Sequence, residues 1–353
     1  MRGMPYPEAQ AFSSLDALPD DVAPLFDTAD TFFSTRDWWQ TVLSHALPPD
    51  AEPCFVLCRI GGVAAGLFPL LHTPNVEWTS FDTPYTCIYL PLIVPDLDAG
   101  AVCEAFGRYC RQYGVVRLDA LPREWPHWDA LIAGAHAAGL TLRCFDHFGN
   151  WQDDVGGLDW AGYLARRPGA LRETIRRRLR RAERLPAAAF TLIGDSNGLT
   201  AGIAAFEAVY ARSWKQPEPY PTFNAALMRT AAALGILRLG LWSVGGTTVA
   251  AQFWIVERGR ATVLKLAHDE AFKAHSPGTV LTAFMLRHLL DRERIDAIDF
   301  GRGDDPYKQD WAAQRRQRAG LLLLNPQRFG GFLAMLRHDL GRFRRWARSG
   351  QPP

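Results

Sequence analysis

Two glycine pairs, Gly61-Gly62 and Gly245-Gly246, each join two strand-like apolar runs, and each such hairpin follows a helix-like stretch. The residues of a tight hairpin turn favour positive φ, so Gly-Gly between apolar runs is a strong hairpin signal. In the first half, helical spacing begins at Thr31, with Ser34 or Thr35 as N-cap, and breaks at Pro48-Pro49. The runs Cys54 to Ile60 and Val63 to Leu71 flank the first glycine pair. In the second half, helical spacing over 200–214 and 222–234 leads to the runs Ile236 to Val244 and Thr248 to Val256, then Ala261 to Ala267. One order of elements met twice predicts two copies of an α/β unit. The expected organisation is an extension over 1–30, a first unit over 31–150, a second over 151–324 and a basic helix over 325–353.

Length and composition fit that reading. At 353 residues, 48% hydrophobic and 22% charged, the chain has room for two domains and is too apolar for disorder. No apolar run approaches the roughly 18 residues of a membrane span, and the start of the chain shows no continuous apolar signal segment. A cytoplasmic location is therefore the expectation. The 39 basic and 37 acidic side chains leave a formal charge of +2, so any anion site must be local. The cysteines all lie in the first half, without the His and Cys spacing of a zinc site. Reduced, buried thiols and no metal are expected.

Chemistry concentrates in the second half. Ser276-Pro277-Gly278 follows a strand and opens a helix, a place where free backbone N–H groups and the helix dipole suit a phosphate. The next strand leaves through Asp299-Phe-Gly-Arg-Gly-Asp-Asp-Pro-Tyr-Lys, with Trp311 downstream, at the end of a strand where α/β sheets place ligands. Lys265 sits in an otherwise apolar strand, on one face with Val263 and Ala267, and is either a partner of Asp299 or a cation for an acceptor. Gln252 and Trp254, evenly spaced on the preceding strand, and Trp214 and Tyr220, on the loop before Thr222, are candidates to line an acceptor cleft. Seven arginines between Arg172 and Arg184 make a local positive field, either for phosphates or for the acids Asp304 and Asp305. At the other end, Phe329, Phe332, Leu333, Leu336, Leu340 and Phe343 share a helical face opposite Arg337, Arg342, Arg344, Arg345 and Arg348. That stripe is expected to pack on the folded domain, with peripheral membrane contact as its other use.

Taken together, these features resemble the acetyltransferase-like domain of the GNAT superfamily, found in exopolysaccharide and cellulose biosynthesis and related to Fem-type aminoacyltransferases. The features that carry it are the arginine-rich helix, Gly245-Gly246, Ala-His-Asp-Glu-Ala-Phe ahead of His275-Ser-Pro-Gly, and Phe-Gly-Arg-Gly-Asp-Asp-Pro-Tyr-Lys. The resemblance implies an α/β mixed-sheet fold of tandem GNAT-like units, the second carrying the donor site. It further implies that His275, Ser276, Gly278 and Thr279 hold the donor's phosphate while Ala267 and His268 align its pantetheine arm. The donor is then acyl-coenzyme A, or aminoacyl-tRNA as in Fem-type relatives, and the acceptor a small molecule or saccharide; a non-catalytic binding module is the remaining alternative. Acyl transfer to an amine needs a base, a polarised carbonyl and a protonated leaving group. Asp304 with a raised pKa, Lys308 and Tyr307 are the candidates for those roles in turn.

Overall fold

The computed structural model describes the backbone of residues 7–74 and 78–349, and the side chains of that range as far as Leu340. Phe343 and the arginines at 342, 344, 345 and 348 thus lie outside the described side chains. The chain divides into two units, residues 1–148 with 317–353, and residues 149–316.

The first unit contains β1 (Glu8–Phe12), α1 (Ala23–Phe26), α2 (Arg36–His45), β2 (Glu52–Ile60), β3 (Val63–His72), β4 (Trp78–Ser80), β5 (Leu92–Ile93), α3 (Ala99–Cys110), β6 (Val115–Pro122), α4 (Trp128–Ala137) and the first part of β7 (Thr141–Asp154). The second contains the rest of β7, then α5 (Trp160–Ala165), α6 (Gly169–Ala182), β8 (Ala189–Ile193), α7 (Leu199–Ala211), α8 (Phe223–Ala233), β9 (Leu237–Val244), β10 (Thr247–Glu257), β11 (Arg260–His268), α9 (Pro277–His288), β12 (Ala297–Arg302) and α10 (Lys308–Trp311). The chain then enters β13 (Gln314–Leu324) and ends in α11 (Phe329–Ser349), both assigned to the first unit from Gln317 onward.

Each unit builds its sheet in the same sequence of pairings. In the first, β1-β2, β2-β3 and β3-β4 are antiparallel, β4-β6 parallel and β6-β13 antiparallel. In the second, β8-β9, β9-β10 and β10-β11 are antiparallel, β11-β12 parallel and β12-β7 antiparallel. The helix crossing to the parallel partner is α3 in one and α9 in the other. The Gly-Gly turns make the β2-β3 and β9-β10 hairpins, all four glycines having positive φ. Each sheet buries an apolar face under its crossing helix: Val102, Cys103 and Phe106 of α3 over Phe68 and Leu70, and Leu281, Met285 and Leu286 of α9 over Trp242 and Ala250. Cys54 and Cys58 lie in the first of these cores; all six cysteines are free thiols, and Cys144, against the expectation of burial, is exposed.

Three boundaries differ from the sequence reading. Residues 8–12, placed in an extension, form β1 and pair with β2. Residues 317–324, placed in the second unit, group with the first. The boundary placed after residue 150 falls inside β7, which runs on to Asp154 and carries a polar segment whose Asn150, Gln152 and Asp153 are fully buried.

Candidate active site

β11 and β12 run parallel but pair only over Arg260–Thr262 and Ala297–Asp299. Past that point the strands part toward their carboxyl ends, the position at which α/β sheets bind ligands. A β-bulge shapes β11 there: Trp254 faces Val263 and Phe253 faces Lys265, so Leu264 is the extra residue. A bulge takes one residue out of the ladder and turns the strand. It also separates Val263 from Lys265, so the expected common face holds for Lys265 and Ala267 only.

The helix that faces the opening begins without a side-chain cap. Pro277 occupies its first position, as predicted, but Ser276 has φ 54° and ψ 55° and its hydroxyl caps nothing. A left-handed non-glycine residue costs on the order of 1–3 kcal/mol and tends to persist where function requires it. With this backbone the Ser276 side chain makes no hydrogen bond to the N–H groups of α9, while its carbonyl still accepts from Val280 at 3.1 Å. Gly278 is in contact range of His268: a Cβ built on it meets His268 Cδ2 at 3.7 Å. The His275 Nδ1 atom is buried with no hydrogen-bond partner. Gln252 fixes the same turn from below, donating to the Gly278 carbonyl at 3.2 Å and to Thr282 Oγ1 at 2.9 Å. Gln252 and Trp254 are both buried in the core, so neither lines an acceptor cleft as expected.

The loop after β12 is held from inside. Asp299 accepts from Asn150 Nδ2 and from the Gly301 N–H, each at 2.7 Å, and so does not pair with Lys265. Gly301 and Gly303 supply the positive φ values, 65° and 100°, that fold the loop back. Lys308 is 3% exposed, donating to the carbonyls of Arg302 at 2.8 Å and Gly303 at 3.1 Å and pairing with Asp305 at 3.1 Å. Its three donors are thereby occupied. Trp311 is buried, and its carbonyl receives Arg167 at 2.8 Å. Lys308 and Trp311 therefore anchor the turn. Asp304 contradicts the expectation of a raised pKa: Arg315 donates to it at 2.6 and 2.8 Å and Trp151 at 2.6 Å. The guanidinium first, and then the indole, hold its carboxyl below the usual carboxylate range.

A cationic group of side chains lies alongside. Lys265 pairs with Glu218 at 2.6 Å. Lys215, which the sequence reading missed, is desolvated and lies in the field of Lys265 and Lys308, and its pKa is lowered by that burial first and by those charges next. Glu218 and Asp305 oppose the shift. Lys215 also sits 5.7 Å over the Trp214 ring, which in turn packs on His268 at 4.5 Å. A path of contacts thus joins the start of α9, through His268 and Trp214, to Lys215. Trp214 is 50% exposed and Tyr307 39% exposed, whereas Tyr220 is half-buried on the same loop as Trp214. Desolvation and the charge of Asp305 push the Tyr307 phenol up, so it keeps its proton at neutral pH. Among the described residues no cluster of three or more His, Cys, Asp or Glu is placed to hold a metal.

The arginine helix α6 does not pair with the acidic turn, since Asp304 is taken by Arg315 and Asp305 by Lys308. Arg178 instead donates to the Ala274 carbonyl at 2.8 Å, one residue before His275. Arg172, Arg177, Arg180, Arg181 and Arg184 are exposed.

A parted pair of parallel strands, one of them bulged, and a helix start without a side-chain cap frame the candidate site. Residues 169–309 match the family model described as an acetyltransferase (GNAT) domain. Similar solved structures include FemX, at TM-score 0.58 and 10% identity, covering 90% of this chain and 98% of that one. A tandem GNAT protein from the clavulanic acid biosynthesis pathway aligns at TM-score 0.52 and 13% identity, covering 90% and 98%. The L-PGS of Bacillus licheniformis aligns at TM-score 0.52 and 11% identity, covering 85% and 94%. No curated protein matches the chain by sequence. Residues 169–309 thus match a GNAT acetyltransferase domain, and the fold of the chain is similar to those of FemX and the tandem GNAT protein.

Proposed function

We propose that the second unit transfers an acyl group from acyl-coenzyme A to an amine by direct attack. The observation that carries this reading is the uncapped start of α9 beside the parting of β11 and β12. In this reading the N–H groups of Gly278 and Thr279, with His275 and Ser276, receive the donor's phosphates. The edge of β11 at Ala267 and His268 takes the extended pantetheine arm as a strand edge takes a peptide.

An acceptor amine must arrive unprotonated. Lys215 shows what this environment does to an amine: desolvated beside Lys265 and Lys308, it loses affinity for its proton. An acceptor entering the same field is released from its proton without a dedicated base. Its nitrogen then attacks the thioester carbonyl, the carbon–sulfur bond breaks, Tyr307 gives its proton to the departing thiolate, and the proton shed by the attacking nitrogen returns to the Tyr307 oxygen. The N–H freed at the Leu264 bulge is the group we assign to polarise the carbonyl. Lys308, with its donors occupied, positions the loop that carries Tyr307. Trp214 and Tyr307 offer ring faces to a sugar or amino-acid-derived acceptor. The free thiols support work in a reducing compartment, the cytoplasm.

A second reading, an aminoacyl-tRNA donor, is favoured by one observation: the exposed arginines of α6 are tied to the donor turn through Arg178 and Ala274. Titration with acetyl-coenzyme A and with charged tRNA, followed by transfer to a panel of amines, decides between them. Saturable binding of acetyl-coenzyme A with release of free thiol in the presence of an amine is the expected result. Binding of charged tRNA alone moves the assignment to the second reading, and transfer from neither leaves a binding scaffold.

A further inference from the structure

We propose that α11 is a docking element for an anionic membrane surface, a use independent of the donor site. The helix is fixed to the first unit by one side. A Cβ at Gly331 would collide with the carbonyls of Asn325 and Gly114, so the backbone there is pressed onto the turn before β6. One turn and more along, Arg143 holds Asp339 through two hydrogen bonds of 2.9 and 2.8 Å. Gly331 is buried, and Ala334, Met335 and His338 on the same side are half-buried.

The apolar stripe points the other way. At about 100° per residue, Phe329, Phe332, Leu336 and Leu340 fall within one arc, opposite the face of Gly331 and His338. They are 82%, 49%, 45% and 57% exposed. The expectation that this stripe packs on the folded domain is therefore overturned for these four residues, Leu333 being half-buried, because the glycine contact commits the opposite face to the body. Charge says what covers it. Arg328 and Arg337 are exposed, and the sequence of the helix continues with Arg342, Arg344, Arg345 and Arg348. Asp339 is the helix's single acidic residue, and Arg143 neutralises it. An apolar stripe beside an almost purely cationic remainder suits a bilayer with anionic headgroups, where the stripe enters the acyl boundary and the arginines meet phosphates. A second copy of the chain fits less well. Four side chains bury far less than the roughly 800 Å² per partner of a stable interface, and a two-fold pairing sets arginine against arginine.

Flotation of the full chain with phosphatidylcholine vesicles, with and without phosphatidylglycerol, tests this. The protein should float with the anionic vesicles and bind roughly tenfold or more weakly without phosphatidylglycerol or at high salt. Phe332→Glu with Leu336→Glu should abolish flotation with no change in the thermal midpoint, since both positions are exposed; Leu340→Glu serves as the single-site check if the pair disturbs folding. Equal behaviour with both vesicle types, no flotation, or a dimer by light scattering that the double variant dissolves would each overturn the proposal.

Discussion

Helices α3 and α9 hold equivalent places in the two units, crossing between parallel strands, yet they begin in opposite ways. α3 starts at Asp98, whose carboxylate accepts from the N–H groups of Gly100 at 2.9 Å and Ala101 at 3.2 Å. α9 starts at Ser276, left-handed and capping nothing. A cap stabilises a helix by about 1 kcal/mol and fills the anion position with the protein's own carboxylate. Leaving the position open gives up that stability and keeps the N–H groups for a ligand. On the proposed function, one residue at one place thus separates a unit whose helix start is filled by its own carboxylate from a unit whose helix start is left for a donor.

The largest effect should come from making α9 resemble α3. A carboxylate from Ser276→Asp about 4 Å from a donor phosphate costs about 4 kcal/mol at an effective dielectric near 20, roughly 1000-fold in affinity. Calorimetric titration with acetyl-coenzyme A should show that loss while the thermal midpoint holds or rises, because Asp tolerates left-handed backbone. Gly278→Val should act in the same direction, since the first side-chain carbon already meets His268. Undiminished binding in either folded variant removes the donor site from α9.

Lys308→Met comes next. It strips two backbone carbonyls of their donor inside a nearly closed site, at a cost of about 1–3 kcal/mol. Turnover and stability should fall together as the Tyr307 loop loosens. A drop on the order of 100-fold in turnover with no change in unfolding would restore the charge-stabilising role assigned to Lys308 from sequence.

Much of this architecture is legible in the residue pattern, and the failures share a cause. Gly61-Gly62 and Gly245-Gly246 announce their hairpins because turn geometry is local. β1, the polar start of β13 and the far half of β7 escape notice because their residues break hydrophobic periodicity. Asn150 is buried on the strength of Asp299, far along the chain, and Asp153 on that of Arg167 across an intervening helix, partners that no local spacing shows. The same holds at the site. Ser276-Pro277-Gly278 is readable as a helix start, whereas the Leu264 bulge, the lowered pKa of Lys215 and the occupation of Lys308 depend on tertiary neighbours. Asp304 reads as a catalytic base only until Arg315 and Trp151 are seen beside it.

A smaller effect sharpens the contrast from the other side. Asp98→Ala should lower the stability of the first unit by about 1 kcal/mol by uncovering two N–H groups of α3. Denaturant unfolding should record that loss, with the transfer rate of the second unit unchanged. A loss of transfer activity in this variant would mean that the first unit contributes to the reaction.

The smallest effect concerns two matched ion pairs, Asp21 with Arg59 in the first unit and Asp304 with Arg315 in the second. Arg59 donates to both oxygens of Asp21, at 2.6 and 2.8 Å, where Arg315 directs two donors at one oxygen of Asp304, and it likewise lowers the pKa through hydrogen bonding. A carboxylate whose folded pKa is depressed adds stability above its unfolded value of about 3.9, and that stability is lost as pH falls through the folded value. Both carboxylates therefore stay ionised from about pH 8 to about pH 5. Asp21→Asn and Asp304→Asn should each give a stability curve parallel to that of the parent over this range, converging with it only in stronger acid. The pH–rate profile should likewise keep its shape in Asp304→Asn, because a group already ionised at pH 5 sets no limb above it. An acid limb near pH 6 that disappears in Asp304→Asn and survives in Asp21→Asn would make Asp304 the base after all. It would also mean that the Arg315 clamp opens when substrate arrives.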